Sequence, residues 1–94
     1  MNKFSIQIIE FKKGLKMKIR INQKHLKQGC IFEFCHVLNN GKKEKIILKP
    51  ILSQFDNTII LYHVNFVSEW GCYGRLFNSY NLARQWITKQ SKNW

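Results

Sequence analysis

Apolar and basic positions alternate without a miss over Leu15-Lys16-Met17-Lys18-Ile19-Arg20-Ile21. Successive side chains of a strand point to opposite faces. The pattern therefore predicts a strand with Leu15, Met17, Ile19 and Ile21 toward a core, and Lys16, Lys18 and Arg20 in an outer row at about 7 Å spacing. A helix would scatter both sets around its axis. The preceding run, Phe4 to Phe11, alternates as far as Ile8 and slips phase at Ile9 and Phe11, as a bulged strand or one buried on both faces at its end would. Between the two runs, Lys12-Lys13-Gly14 reads as a hairpin connection.

Further along, the polar stretch Asn22 to Gly29, which holds His25 and Leu26, reads as a loop or a single helical turn. Cys30 to Leu38 carries β-branched and aromatic residues on both phases, which suits a central strand covered on both sides. Asn39-Asn40-Gly41-Lys42 is a turn signal, because Asn and Gly tolerate positive φ. Lys43 to Leu48 would return as the partner strand, with Pro50 limiting how far it pairs. After a break at Ser53 to Asn57, Thr58 to Val67 reads as a strand with Ile60, Tyr62, Val64 and Phe66 on one face and Ile59, Leu61, His63 and Asn65 on the other. Glu69 to Phe77 is a last strand in which Gly71 and Gly74 suggest bulges or a close backbone approach. Asn78 or Ser79 can cap a helix over 79–91. Its Tyr80, Ala83, Trp86, Ile87 and Gln90 recur at helical spacing, with Arg84, Lys89 and Lys92 toward water. The expected fold is α+β: an antiparallel sheet of about five to six strands built from hairpins, with the C-terminal helix packed on one face. One domain over 1–94 is expected, strand-rich from 3 to 77.

The cadence Trp70, Gly74-Arg75, Phe77, Ser79, Ala83, Trp86 resembles the last strand and helix of small sheet-plus-helix domains, the AP2-like arm-binding domains of phage integrases among them. It covers residues 70–86 only, and the longer N-terminal part departs from the three-strand plan of those domains. No family membership and no residue roles are carried over.

Composition changes the picture mainly through charge. The 45% apolar content and the aromatic residues (seven Phe, three Trp, three Tyr) are those of a chain that folds. The net charge is +11, and it is unevenly placed. Residues 1–49 hold twelve Lys or Arg against Glu10, Glu33 and Glu44, a net of +9, whereas residues 50–94 hold four against Asp56 and Glu69, a net of +2. Between Glu10 and Glu33 there is no acid, while Lys12, Lys13, Lys16, Lys18, Arg20, Lys24 and Lys27 all fall there. Such a field attracts nucleic acid, acidic proteins or anionic lipid. The prevalence of Asn, Lys and Ile also suits an AT-rich genome, which makes composition drift a competing reading of part of the lysine excess. No apolar run exceeds four residues, too short for a membrane span, and no apolar stretch of leader type follows the N-terminus. An odd number of cysteines, Cys30, Cys35 and Cys72, without framework spacing points to reduced thiols and a cytoplasmic setting.

The leading functional expectation is a non-enzymatic nucleic-acid-binding module. Lys12, Lys13, Lys16, Lys18, Arg20, Lys24 and Lys27 would contact phosphates, and Tyr62, Trp70 and Tyr73 are candidates for base stacking. An alternative is a phage or mobile-element accessory or inhibitor, anti-CRISPR-like, whose partner is an acidic protein or a nucleoprotein effector. A further alternative is a small metal-independent ribonuclease toxin using His25, His36 or His63. No cofactor is expected. The residues Cys30, Cys35, His36 and Cys72 lack zinc-site spacing, and adjacent Cys35 and His36 would point to opposite faces of a strand. The carboxylates are too scattered for two-metal chemistry, and no phosphate-cradling glycine loop precedes a helix.

Overall fold

The computed structural model describes residues 6–11, 21–38 and 40–91. Their elements are β1 (Ile6–Phe11), α1 (Gln23–Lys27), β2 (Ile31–Val37), β3 (Lys43–Leu52), β4 (Ile59–Ser68), β5 (Gly71–Phe77) and α2 (Tyr80–Gln90). The strands form one sheet in the order β1-β2-β3-β4-β5. Strands β2 to β5 are an antiparallel meander, and β1 joins the β2 edge in parallel. The fold is α+β as expected, but among the described residues the antiparallel part has four strands rather than five to six.

The expected N-terminal hairpin, with its connection at Lys12-Lys13-Gly14, falls mostly outside the described residues. Residues 12–30 separate β1 from β2, and a parallel pair needs a connection of that order where an antiparallel pair needs only a tight turn. The expected strand Leu15 to Ile21 lies outside the described residues except for Ile21, which has no strand pairing and packs half-buried against the core.

The meander follows the predicted breaks. Gly41 takes φ +82 in the β2–β3 turn, where only glycine is unstrained. Pro50 does not end its strand: β3 runs on to Leu52, with Pro50 opposite Tyr62. The β2 ladder stops at Leu48, so Pro50 is paired on one side only, where a missing N–H is tolerated. At the start of β4 the register shifts, with Leu61 opposite Ile51 and Ile59 opposite Leu52. Ile60 is the extra residue of this bulge. Ile59 turns onto the core, and Ile60, expected to share a face with Tyr62, Val64 and Phe66, is left 53% exposed. Glu69 and Trp70, expected in the last strand, form the turn before it. Gly74 makes the close approach expected of it: a Cβ there would lie 2.7 Å from His63 Nε2.

Residues opposite each other in the ladder share a face, which gives the sheet two distinct sides. On one side Phe32, Phe34, Ile46, Leu48 and Val64 are buried together with Leu26 of α1 and Ala83, Trp86 and Ile87 of α2. The last three stand at i, i+3 and i+4, so one stripe of α2 is buried and the rest faces water. Tyr80 and Trp86 extend that contact, edge-on to Tyr62 and Tyr73 at centroid distances of 6.0 and 5.9 Å. Each fully buried aliphatic or aromatic side chain here contributes on the order of 1.5–3 kcal/mol. No described helix covers the other side, which carries Glu33, Cys35, Lys45, Ile47, Lys49, His63 and Leu76.

Candidate functional site

Of the seven predicted cationic residues, Lys12, Lys13, Lys16, Lys18 and Arg20 lie outside the described residues. Lys24 and Lys27 are exposed on α1. That short helix is fixed at both ends. Asn22 Oδ1 accepts from the Lys24 N–H at 3.0 Å. At the other end Gly29, at φ +89, donates to Leu26 O at 2.9 Å, and the Cys30 N–H donates to His25 O at 2.9 Å. This paired closure satisfies carbonyls at the helix end and needs a glycine there. Leu26, 1% exposed, pins α1 to the core, so Lys24 and Lys27 are presented to solvent from a fixed backbone.

The described acids are largely engaged with near neighbours. Glu69 pairs with Lys42 across the two turns at one end of the sheet, and Glu33 pairs with Lys45 at 3.4 Å on the side of the sheet away from α2. Asp56 Oδ1 accepts from the Thr58 hydroxyl at 2.7 Å and from the Thr58 N–H at 3.1 Å, which holds its carboxyl below the ordinary pKa. Among the described residues no carboxylate pairs with Lys24, Lys27, Lys43, Lys49, Arg75, Arg84 or Lys89.

The three stacking candidates differ. Tyr62 is half-buried against Tyr80, because its strand position faces the core side of the sheet. Tyr73 is 52% exposed, but its ring lies against Phe66 and Trp86 and its hydroxyl donates to Gln90 Oε1 at 3.3 Å, so it ties α2 to β5. Trp70 is 90% exposed at the tip of the β4–β5 turn. That turn is ordered by Ser68, whose Oγ accepts from the Trp70 N–H and donates to Gly71 O, each at 3.3 Å. Lys42 and Lys43 belong to the neighbouring β2–β3 turn and the start of β3, and β1 ends at this same end of the sheet, at Phe11 opposite His36.

Sequence reasoning missed Phe55, which is 99% exposed in the β3–β4 turn at the far end. A phenylalanine between Gln54 and Asp56 in a turn was the available signal. The histidines are not brought together: His36 is buried on the α2 side of β2, His63 projects on the opposite side from β4, and His25 lies on α1. Cys35 and His36 do point to opposite faces of β2. No group of three or more His, Cys, Asp or Glu suited to a metal is gathered among the described residues. No described helix is long and apolar enough to cross a membrane, and all three cysteines are free.

Neither family models, curated proteins nor solved structures match this chain.

Proposed function

We propose that the chain is a non-enzymatic nucleic-acid-binding module that holds phosphates through its acid-free basic segment and stacks an exposed base on Trp70. The observation that carries this reading is the indole of Trp70. It stands 90% exposed on an ordered turn, beside lysines, in a chain of net charge +11. A side chain of that area is ordinarily buried, and a basic groove with exposed rings is the combination that binds single strands. The connection that carries Lys12, Lys13, Lys16, Lys18 and Arg20 leaves β1 at the Trp70 end and re-enters at Ile21, just before α1 with Lys24 and Lys27. Phosphates along that connection, and a base at the turn, would be held by one continuous strand.

Fluorescence anisotropy with a labelled single-stranded oligonucleotide tests this. Affinity falls steeply between about 50 and 200 mM salt, as counterion release requires. Trp70→Ala weakens binding by about 1–3 kcal/mol without lowering the melting temperature, since Trp70 makes no core contact. Affinity indifferent to salt, or unchanged when Lys16, Lys18 and Arg20 are all replaced by Glu, overturns the reading.

A further inference from the structure

The strand β5 stands last in the sheet, and every residue from Gly71 to Leu76 is exposed. Only one edge of β5 bonds β4. Alternation along the ladder turns the N–H and C=O of every second residue outward, and no described backbone–backbone bond beyond the ladder involves residues 71–77. Edges of this kind are ordinarily blunted by proline, lysine or a bulge. The strand GCYGRLF holds neither Pro nor Lys, and its register with β4 runs unbroken from Gly71 to Phe77.

The helix α2 flanks this edge. Trp86 lies against Tyr73 and Phe77 of β5 at centroid distances of 5.9 and 6.1 Å, and Gln90 accepts from the Tyr73 hydroxyl. Leu82 and Lys89 stand at i−4 and i+3 from Trp86, so they share its side of the helix, and both are exposed. Arg75, opposite Val64, projects on the α2 side of β5, whereas Leu76, opposite His63, projects on the other. From Trp70 to Trp94 the sequence has no Asp or Glu, against Arg75, Arg84, Lys89 and Lys92. Glu69, just before β5, is engaged by Lys42, and β1, which carries Glu10, lies four strand spacings away, about 19 Å. A second copy would set the same acid-free strand and helix against each other, cation to cation.

We propose that the outer edge of β5 takes an extended acidic segment of a partner protein as an added strand. Its main chain bonds the outward N–H and C=O groups of β5. Carboxylates at alternate positions meet Arg75 and Lys89, and the apolar residues between them lie beside Leu76. The surface does not depend on the nucleic-acid reading and is tested without an oligonucleotide bound.

Exchange of the β5 amide protons, followed residue by residue by NMR, is the readout. The probe is a short synthetic peptide alternating glutamate and valine, used at about 0.15 M salt, where the Debye length is about 8 Å. It slows exchange at alternate residues of β5, those whose N–H points outward; a lysine–valine peptide does not. N-methylation of the peptide's glutamates or of its valines abolishes protection in one case and spares it in the other, because only one set of its N–H groups faces β5. Arg75→Glu and Lys89→Glu, both at exposed positions, each raise the half-protecting peptide concentration by about tenfold. Lys49→Glu, an equal change of charge on β3, leaves it unchanged. Protection that survives both N-methylations, equal protection by a glutamine–valine peptide, protection of the same amides by a single-stranded oligonucleotide, or exchange that slows with protein concentration alone each overturns the proposal. So does unchanged exchange in the presence of the glutamate peptide.

Discussion

Asp56 shows how much a single residue's neighbours decide. In the chain it is a lone acid in a polar stretch; in the structure its Oδ1 takes both the hydroxyl and the N–H of Thr58, and the next residue, Asn57, adopts φ +60. The ionised carboxylate is the form that accepts these bonds, so its pKa is lowered in the fold. The contribution to stability is therefore present above the unfolded-state pKa and is lost as pH falls through the lowered folded value. A carbon-detected NMR titration should find the Asp56 carboxyl titrating below the ordinary range. Thr58→Val, which removes the hydroxyl, should move it back up; an unchanged titration would show that the hydroxyl does not hold it. Trp70 and Phe55 make the same point. Their residue type says bury, and only their position on turns, remote from the core, leaves them in water.

At the scale of elements, periodicity was an accurate guide wherever an element packs on one side. The helical stripe of Ala83, Trp86 and Ile87 is legible in the spacing alone and is the stripe that α2 buries. Ile87→Ala should cost about 2–5 kcal/mol in denaturant unfolding, because it opens a cavity among Ile46, Leu48 and Val64, the core that α2 covers. Leu82→Ala, one turn away on the exposed side, should stay within about 0.5 kcal/mol. Similar costs for both would mean that α2 does not pack by this stripe. Periodicity failed at Ile60, where one inserted residue swaps the inward and outward positions, while the β2 ladder stops at Leu48, short of Pro50, and β3 itself runs on along β4. Both depend on a neighbouring strand that a local pattern does not contain.

At the scale of the whole molecule, charge acts in opposite directions on stability and on binding. The chain carries +11, and the described ion pairs, Lys42–Glu69 and Lys45–Glu33, offset little of it. Self-repulsion of this size disfavours the compact state, and salt screens it with a Debye length of about 10 Å at 0.1 M, falling to about 3 Å at 1 M. The melting temperature should therefore rise with sodium chloride over the range in which oligonucleotide affinity falls. A melting temperature that instead falls with salt would mean that local ion pairs outweigh the net repulsion.

Local regularities were determined by the sequence itself: the strands and breaks from residue 30 onward, the Asn-Gly turn, the C-terminal helix with its buried stripe, and a positive field concentrated before residue 50. Each rests on residues a few positions apart, whose spacing and backbone preferences act before any distant contact forms. Long-range pairing was left to the tertiary structure. It set β1 parallel beside β2, turned Ile59 inward and Ile60 outward, spent Glu33, Glu69 and Asp56 on near neighbours, and gathered the strands' described aromatic rings on the α2 side of the sheet. The physical reason is that alternation along a strand separates two faces without saying which neighbour will cover either one.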